Sequence, residues 1–501
     1  NPGYLADFNG DVNIRGKLFD AGEPVVSSPF SVSSTSILYN AGKVGIGTTN
    51  PDVELVVGGR VRLEPTTSSD GDNGSIRWTG QDLEIKSEGE WESVFDDGEI
   101  LSEFQALDTS GARAVESMII GTDTYLAIAQ LYSSGFELNS PIFKWDGNGF
   151  SLFQTIPTTG AEDFESFSVG GNTFLAVANK RDAASFHQDS KVYQWTGSQF
   201  SEVQSIPTTG AFDLEYFEIY DAITRSTDRF LAVANYRDSV ATNSVNFLID
   251  SIIYKWNGSQ FSEFQSIPTS GAKDWESFEI SGTPYLAVAN FRVGGQWNQG
   301  SRIYQWNGSQ FIEFQSIPTA GAYDWESFEI DGVMYLAVAN HYTNTSFNTN
   351  SKIYKWNGSQ FDEFQSIPTN GARDWEFFER NDRKFLAFAN YSNDLTTNIR
   401  SKIFEWNGST FEELGSEKTS GGSDWHYLEI DLNPYLVMAN DESDGDFTVN
   451  SVVYTPEDPV FGGSAPTTIA DKDSDTAIEV EAGSDTDEIR LKTNGVGRMI
   501  V

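Results

Sequence analysis

Acidic residues recur in pairs at a fixed spacing, and carboxylates placed in this way can bind a cation or exchange protons. In five copies of one repeated segment an Asp is followed two positions later by a Glu, and a sixth copy keeps the Asp alone. The set is Asp163/Glu165, Asp213/Glu215, Asp274/Glu276, Asp324/Glu326, Asp374/Glu376 and Asp424. Crowded carboxylates must be neutralised, and Ca²⁺ accepts about six to eight oxygen ligands. If the fold brings the pairs together, they predict a metal site with Ca²⁺ as the cofactor.

The same acids have a structural and a catalytic interpretation. An Asp ahead of a strand caps a turn through its own backbone, which requires no ligand. Glycoside hydrolysis also uses two carboxylic acids, but an active site breaks the symmetry of a repeat, and these acids follow that symmetry. The sequence has no nucleophile elbow and no phosphate-binding loop. We therefore expect no enzyme activity, and the cation site and the turn cap remain as alternatives.

The acids belong to a repeat of about 50 residues that fills the middle of the chain. Residues 262–311 and 312–361 are two closely similar copies. The other copies are 151–200, 201–261 with an insertion, 362–411, 412–461 and a divergent first copy that begins near Leu101. The first copy has Ala114 where the others have Asp but keeps Glu116, and the last has His426 in place of the Glu. The chain thus contains seven units of one kind.

Each unit contains four strand-like runs rich in aromatic and β-branched residues. In one unit they are Trp275–Ile280, Tyr285–Ala289, Arg302–Trp306 and Phe311–Ile317. The last two are joined through Asn307-Gly308, which predicts a type I′ hairpin turn. Seven units of four strands predict an all-β fold, a seven-bladed β-propeller. The first strand of each blade would line the axial channel and place the acid pairs there.

The two ends of the repeat region are complementary. The last copy stops after its third strand, Val452–Tyr454, and Ile100–Leu107 is a fourth strand without a blade of its own. We predict that this N-terminal strand completes the blade formed by Trp425–Ile430, Tyr435–Met438 and Val452–Tyr454. Such a closure removes the exposed edges of the ring.

The composition excludes several kinds of partner. The chain has 73 acidic and 32 basic side chains, a formal net charge of −41. This charge opposes binding to nucleic acid and to anionic membrane surfaces. There is no Cys, there are three His, and no apolar run reaches about 18 residues. We expect no disulfide, no His-rich zinc centre, no nucleic-acid partner and no membrane insertion.

The connections between the second and third strands differ in every copy, whereas the strands hardly change. We predict that their aromatic side chains lie on one face and bind a partner. These residues are Phe186, Tyr236, Phe291, Trp297, Tyr342, Phe347 and Tyr391. Loops carry recognition while a scaffold stays fixed, and Tyr and Trp suit a contact surface. Drift at unconstrained positions is the alternative explanation.

Four segments of the repeat resemble the epilepsy-associated repeat, also called EPTP. They are FQSIPT at Phe314–Thr319, GAYDWESFEI at Gly321–Ile330, YLAVAN at Tyr335–Asn340 and IYKWNG at Ile353–Gly358. The resemblance covers about residues 100–460. It implies a seven-bladed propeller of a secreted or cell-surface protein that acts by protein–protein binding and not by catalysis.

The flanking segments are similar to parts of phage tail fibres and related bacterial fibre proteins. Lys43–Gly59 resembles their GIGTTxPxxxLxVxG segment, Gly74–Val94 their GxIRxN…W motif, and Glu488–Val501 their TNGxxRMxI run. In those fibres the last segment is commonly followed by the first, whereas here the two stand at opposite ends. The resemblance implies short β-strands that wind as trimers. Because the chain begins with Asn1 and not Met, we expect a processed form or a fragment.

The sequence therefore predicts three regions. They are a β-rich fibre-like region at 1–99, the propeller at 100–461, and an acidic linker with a C-terminal fibre-like segment at 462–501. We expect a non-enzymatic extracellular protein, the receptor-binding or adhesive head of a phage or bacterial surface fibre. Its partner would be a cell-surface protein or glycan, and it would self-assemble as a trimer or polymer through the flanks. The alternative is a structural subunit of an extracellular filament or appendage.

Overall fold

The computed structural model describes residues 100–221, 224–240 and 244–456, except the side chains of 239–245. Outside these ranges it gives only the backbone of short strands. The chain divides into two compact units, Asn1–Glu92 and Ser93–Val501. In the described part of the chain no helix is long and apolar enough to cross a membrane.

Seven four-stranded antiparallel sheets form the second unit's repeat region. The first strands of the blades are Ala112–Ile120, Ala161–Val169, Ala211–Asp221, Ala272–Ile280, Ala322–Ile330, Ala372–Arg380 and Gly422–Ile430. The second strands are Asp123–Gln130, Asn172–Asn179, Ser226–Asn235, Thr283–Asn290, Val333–Asn340, Arg383–Asn390 and Asn433–Asn440. The third strands are Glu137–Trp145, Asp189–Trp195, Leu248–Trp256, Gly300–Trp306, Asn348–Trp356, Asn398–Trp406 and Ser451–Pro456. The fourth strands are Phe150–Thr159, Phe200–Pro207, Phe261–Ser270, Phe311–Pro318, Phe361–Asn370, Phe411–Ser420 and, in the seventh blade, Leu101–Leu107.

The seven sheets close into a ring. Each first strand contacts the first strand of the next blade, and the first strand of the seventh blade contacts that of the first. Leu101–Leu107 pairs antiparallel with Ser451–Pro456, so that Leu101 is opposite Pro456 and Leu107 is opposite Ser451. The predicted seven-bladed propeller and its closure by the N-terminal strand are confirmed.

The core lies between neighbouring blades, which explains the continuous apolar run of each second strand. Leu286, Ala287, Val288 and Ala289 are all fully buried. Successive side chains of a strand point to opposite faces. Leu286 and Val288 pack with residues of the third blade, whereas Ala287 and Ala289 pack with residues of the fifth, Trp325 among them. Both faces of the strand are therefore apolar.

A glutamine fastens each pair of neighbouring blades near the outer strands. Gln315 Nε2 donates to the carbonyl of Phe361 at 2.8 Å, and its Oε1 accepts the Phe361 N–H at 2.9 Å. The equivalent pairs are Gln105–Phe150, Gln154–Phe200, Gln204–Phe261, Gln265–Phe311 and Gln365–Phe411. The sixth and seventh blades are joined differently. Glu417 Oε1 of the sixth blade accepts the N–H groups of Ile100 and Leu101, at 2.9 and 2.8 Å, at the start of the N-terminal strand that completes the seventh blade.

The Asn-Gly turns differ from the predicted type I′ geometry, which requires a positive φ at both central residues. Of Asn307 and Gly308, only Gly308 has a positive φ, 97°. The loop contains four residues, because Trp306 pairs with Phe311. Asn307 Oδ1 accepts the N–H groups of Ser309 and Gln310, at 2.9 and 3.0 Å, and so caps the loop from within.

Short strands also occur in the flanks, where only backbone pairing is described. In the first unit the antiparallel groups are Ala6–Asn9 with Asp11–Ile14, Phe19–Asp20 with Glu23–Pro24, Phe30–Ser33 with Ser36–Tyr39, and Ile76–Trp78 with Leu83–Ser87 and Glu90–Ser93. Val44–Ile46 pairs parallel with Leu55–Val57. Near the C-terminus, Thr468–Ala470, Thr476–Val480, Ile489–Thr493 and Val496–Met499 form one sheet. The side chains of the predicted fibre-like segments lie outside the described residues.

Candidate functional site

Each first strand begins with a β-bulge that brings two consecutive residues toward the axis. In the fourth blade the register shifts between Ala272 and Asp274, so that Lys273 is the extra residue. The same shift occurs in every blade. A bulge re-aims the side chain at the inserted position. Phe212 and Tyr323 occupy this position two blades apart, and their rings lie 5.3 Å from each other, so these side chains meet across the channel.

The predicted Asp residues form a ring of hydrogen bonds between blades. Each accepts, through Oδ2, the backbone N–H of a residue on the first strand of the next blade, with N–O distances of 2.6–3.1 Å. The acceptor–donor pairs are Asp163–Leu214, Asp213–Trp275, Asp274–Trp325, Asp324–Trp375, Asp374–Trp425 and Asp424–Val115. The last pair joins the seventh blade to the first. Ala114 leaves one junction without this bond.

The Glu residues form a second ring two positions further along the strands. Each accepts a backbone N–H of the next blade through Oε1, at 2.7–3.1 Å. The pairs are Glu116–Ser166, Glu165–Tyr216, Glu215–Ser277, Glu276–Ser327, Glu326–Phe377 and Glu376–Tyr427. In the seventh blade the His426 Nε2 atom lies 2.8 Å from Ser117 Oγ of the first blade. Burial lowers the pKa of His426 to about 4, so its imidazole group is uncharged at neutral pH.

Burial also raises the pKa of the carboxyl groups in both rings. The pKa of Glu116 rises to about 8, and those of Asp163, Glu276 and Asp374 rise to about 7. For Glu326 burial is the main cause, and the charges of the adjacent glutamates raise its pKa further. Several of these acids therefore retain a proton at neutral pH, which reduces the repulsion within the channel.

The structure brings all the predicted metal ligands together but uses them between blades. Among residues 100–456, as far as they are described, no group of three or more His, Asp or Glu side chains is placed to hold a metal ion. One oxygen of each acid already accepts a backbone N–H. Axial Ca²⁺ stays a prediction. The alternative, a cap made through the backbone, is right in that these acids accept backbone N–H groups. Most of the donors belong to the next blade, and Asp163 and Asp374 also accept from the residue that follows each of them.

The predicted contact loops emerge on one face, called here the loop face. It carries the connections between second and third strands. Phe186, with 3% exposure, and also Tyr236 and Phe291 are buried, so little of these three predicted contact residues is accessible to a partner. Trp297, Tyr342, Phe347 and Tyr391 are half-buried. Their part in partner binding stays a prediction.

Loop residues are buried because they anchor each loop to the next blade. The N–H of Gly210 donates to the Phe186 carbonyl at 2.5 Å, and the N–H of Gly321 donates to the Trp297 carbonyl at 2.7 Å. Gly321 has a φ of +55°, and a Cβ there would lie 2.8 Å from the carbonyl oxygen of Tyr342. Only glycine fits both the conformation and the close approach. The equivalent pairs are Gly111–Phe447, Gly160–Phe136, Gly271–Phe247, Gly371–Phe347 and Gly421–Thr397.

A cluster of buried ion pairs lies at the loop-face end of the channel and was not predicted. Asp441 accepts from Arg113 and Arg373, with N–O distances of 2.9 and 2.8 Å. Glu162 pairs with Lys180 and lies 3.7 Å from Arg113 Nε. Burial opposes ionisation of Glu162, but the charges of Lys180 and Arg113 outweigh it and hold the pKa of that carboxyl below its usual range.

Lys273 lies in this cluster within a cage of aromatic rings. Its Nζ is 3.3 Å from the ring centroid of Phe212, 4.3 Å from Tyr236, 4.4 Å from Tyr323 and 4.7 Å from Phe291. Cation–π attraction stabilises the ammonium group there. Burial, and then the charge of Lys180, lowers its pKa well below the ordinary value. The cage therefore holds the protein's own lysine.

The signal for this cluster was variation at one position of a regular motif. The residue after Gly-Ala is Arg113, Glu162, Phe212, Lys273, Tyr323 and Arg373 in the first six copies, and Ser423 follows Gly421-Gly422 in the seventh. A position that changes from charged to aromatic between similar copies is not set by the packing that the copies share. The bulge explains why this position faces the axis.

A ring of repeated blades joined by symmetric hydrogen bonds, with its differences collected on one face, defines an interaction propeller. The chain belongs to the EPTP domain family. The family model matches residues 101–146, 149–196, 199–257, 260–307, 310–357 and 360–407. These segments run from the fourth strand of one blade to the third strand of the next. The first three strands of the seventh blade lie outside the matched segments, whereas its fourth strand, Leu101–Leu107, lies within the first of them.

Relatives share only part of their length with this chain. The thrombospondin-type laminin G domain and EAR repeat-containing protein of Homo sapiens is 44% identical over 71 residues, 14% of this chain and 10% of that protein. Its Mus musculus counterpart is 42% identical over 73 residues, again 14% and 10%. The matches thus span about a tenth of the length of these relatives. A Bacteroides fragilis protein assigned as a 6-phosphogluconolactonase is 13% identical, with 73% of this chain and 97% of that chain covered and a TM-score of 0.46. Similarity at that level does not indicate a shared function.

Proposed function

We propose that the chain is a non-enzymatic extracellular binding protein, the receptor-binding or adhesive head of a phage or bacterial surface fibre. Its partner is a cell-surface protein or glycan that contacts the loop face. This proposal is supported by the family, by the resemblance of the flanks to fibre segments, and by the concentration of variable residues on one face.

The observation that carries the proposal is the construction of the loop face. Each loop is fixed to its neighbour through a backbone bond such as Gly371 N–H to Phe347 carbonyl, at 2.7 Å. Beyond these anchors the loop tips remain accessible, as at Asn298 and at Leu395, of which 46% is exposed. A rigid support with accessible, varied tips suits recognition, because little loop motion is lost on binding.

Cell binding by the full chain tests this proposal. We expect Leu395→Arg or Asn298→Arg to weaken binding of labelled protein by about tenfold or more, because a buried unpaired charge opposes an interface. Leu432→Arg is the matched control, since Leu432 is 83% exposed on the turn between a first and a second strand, at the opposite face. Equal loss in all three variants, or no loss at both loop-face positions, would contradict the proposal.

The alternative is a structural subunit of an extracellular filament, joined through the N- and C-terminal segments. The order of the fibre-like segments favours it, since the two that are commonly adjacent in fibres stand here at opposite ends. Electron microscopy and sedimentation of the native assembly separate the two functions. A trimer with propellers at one tip supports the adhesive head, and a helical polymer joined through residues 1–60 and 465–501 supports the filament.

A further inference from the structure

A pocket of about 570 Å³ opens on the loop face where the first, second, third and seventh blades meet. Ten residues line it, of which five are aromatic and one is leucine. The other four are the cations Arg113, Lys180, Arg181 and Arg237. None of these ten residues is acidic, although acidic side chains outnumber basic ones by 73 to 32 in the chain. The pocket is therefore a local positive region on an acidic protein.

Two of the four cations form ion pairs with buried carboxylates, and two do not. Arg113 and Lys180 pair with the buried Asp441 and Glu162, as described above. Within the described residues neither Arg181 nor Arg237 has an ion-pair partner. Burial lowers the pKa of Arg237, and the charges of Arg181 and Arg292 lower it further. An anion beside Arg237 would offset these unfavourable interactions.

The two unpaired guanidinium groups are held in place by aromatic stacking. Arg181 lies between Phe136 and Phe186, with centroid distances of 4.4 and 4.6 Å. Arg237 lies 3.9 Å from the ring of Phe186. Its Nε is buried and has no hydrogen-bond partner. Stacked guanidinium planes are already ordered, so less conformational freedom is lost when a ligand binds their edges.

We propose that this pocket binds the carboxylate of an acidic sugar, free or at the end of a glycan. A planar guanidinium donates two parallel hydrogen bonds to a carboxylate. The volume lies within the range of about 300–1,000 Å³ typical of small-ligand sites, and aromatic walls with a few polar groups are their usual lining. The inference deepens the proposed function, on which it rests, by naming the chemistry of the receptor.

The charge of the protein selects a compact ligand with a single anionic group. Nucleic acids, polysulfated chains and acidic peptides extend beyond the pocket, where the net charge of −41 repels them. One carboxylate on an uncharged ring gains the local attraction and avoids that repulsion. An acidic sugar unit meets this requirement better than an acidic protein segment does.

Calorimetric titration of the full chain tests the proposal, with glucuronate, a glycan ending in glucuronate, glucose and an oligo-aspartate peptide as probes. We expect at least one of the two acidic-sugar probes to bind, with affinity that falls as salt is raised, and no binding of glucose or peptide. Binding of the glycan but not of free glucuronate identifies a terminal sugar as the ligand. Arg181→Gln and Arg237→Gln should each weaken binding about tenfold or more, since each removes hydrogen bonds to a charged group.

Arg292→Gln is the matched control, because Arg292 is stacked between Phe247 and Trp297 in the same manner but does not line the pocket. It should weaken binding much less than Arg181→Gln or Arg237→Gln, because it removes a nearby charge but no hydrogen bond to the ligand, and thermal melting should show that all variants are folded. If Arg237→Gln does not fold, Arg181→Gln decides. The proposal is overturned if neither acidic sugar binds, if glucose binds equally well, if the peptide binds instead, or if Arg292→Gln has the same effect. Wild-type cell binding without sugar binding overturns this proposal and leaves the proposed function intact.

Discussion

Replacing Glu276 by Gln tests whether the axial acids are neutralised by protons. Gln keeps an oxygen that can accept the Ser327 N–H, which lies 3.0 Å from Glu276 Oε1. It cannot ionise. Burial raises the pKa of Glu276 from 4.5 to about 7. The folded state therefore holds its proton more tightly than the unfolded state does, and the wild type loses stability as pH rises from about 4.5 to 7.

The size of this loss follows from the pKa shift. Each pKa unit corresponds to about 1.4 kcal/mol, so a rise from 4.5 to about 7 gives at most about 3.5 kcal/mol above pH 7. Solvent screening reduces this figure, because Glu276 is only half-buried. We expect Glu276→Gln to match the wild type at pH 4 and to be more stable by about 1–3 kcal/mol at pH 8.

Urea denaturation at pH 4, 6 and 8 measures this difference through the midpoint and the slope of the transition. Glu279→Gln is the control, because Glu279 is exposed on the same strand and is not part of the ring. The reasoning is refuted if Glu276→Gln is less stable than the wild type at pH 8. That result is expected when the carboxylate is charged and serves as a ligand for a cation.

Three further predictions concern cations and the joints between blades. If Ca²⁺ occupies the axial acids, excess chelator at constant ionic strength should lower the melting temperature of the protein. The decrease should be larger at pH 7 than at pH 5, because protons compete with the metal for the carboxylates. An unchanged melting temperature excludes a stabilising ion. Glu417→Ala should destabilise the protein by about 2–5 kcal/mol in urea denaturation, because the N–H groups of Ile100 and Leu101 lose their acceptor. Glu417→Gln should retain most of the stability. Equal losses in the two variants would show that Glu417 does not join the blades through these bonds. Gln315→Ala should lower the free energy of unfolding by about 1–3 kcal/mol, because it removes both hydrogen bonds to Phe361. Gln310→Ala in the exposed turn is the control and should lower it by less than about 0.5 kcal/mol. Similar losses for the two variants would show that Gln315 does not join the blades.

The fold could be predicted from the sequence because its determinants are local and repeated. The runs Trp275–Ile280 and Tyr285–Ala289 are strands in the structure, extended by one to three residues at their ends. Ile100–Leu107 is a strand without a blade before the first blade, and the last copy lacks a fourth strand after Val452–Tyr454. Pairing these two strands is the closure that accounts for both. The turn at Asn307 was wrong because loop length also matters: four residues between Trp306 and Phe311 allow the Asn side chain to cap the loop.

The site was only partly predictable because partners across blades are not encoded by spacing. The propeller prediction placed the acid pairs on the first strands of the blades, and that is where the structure has them. It did not reveal that Asp274 accepts the N–H of Trp325, 51 residues away. The bulge at Lys273 could not be foreseen either, since a one-residue change of register reverses the side to which a residue points.

The bonds between blades also explain how closely similar units support a varied binding face. The axial acids and the rim glutamines bind backbone groups of the next blade and make no demand on its side chains there. The Asp ring accepts equally from Trp325, Leu214 and Val115. The residue at the bulge and the loop tips can therefore differ between blades while the ring is unchanged. Arg181 and Arg237 of the proposed acidic-sugar pocket occupy positions that vary between blades, so a change of ligand would not require a change of scaffold.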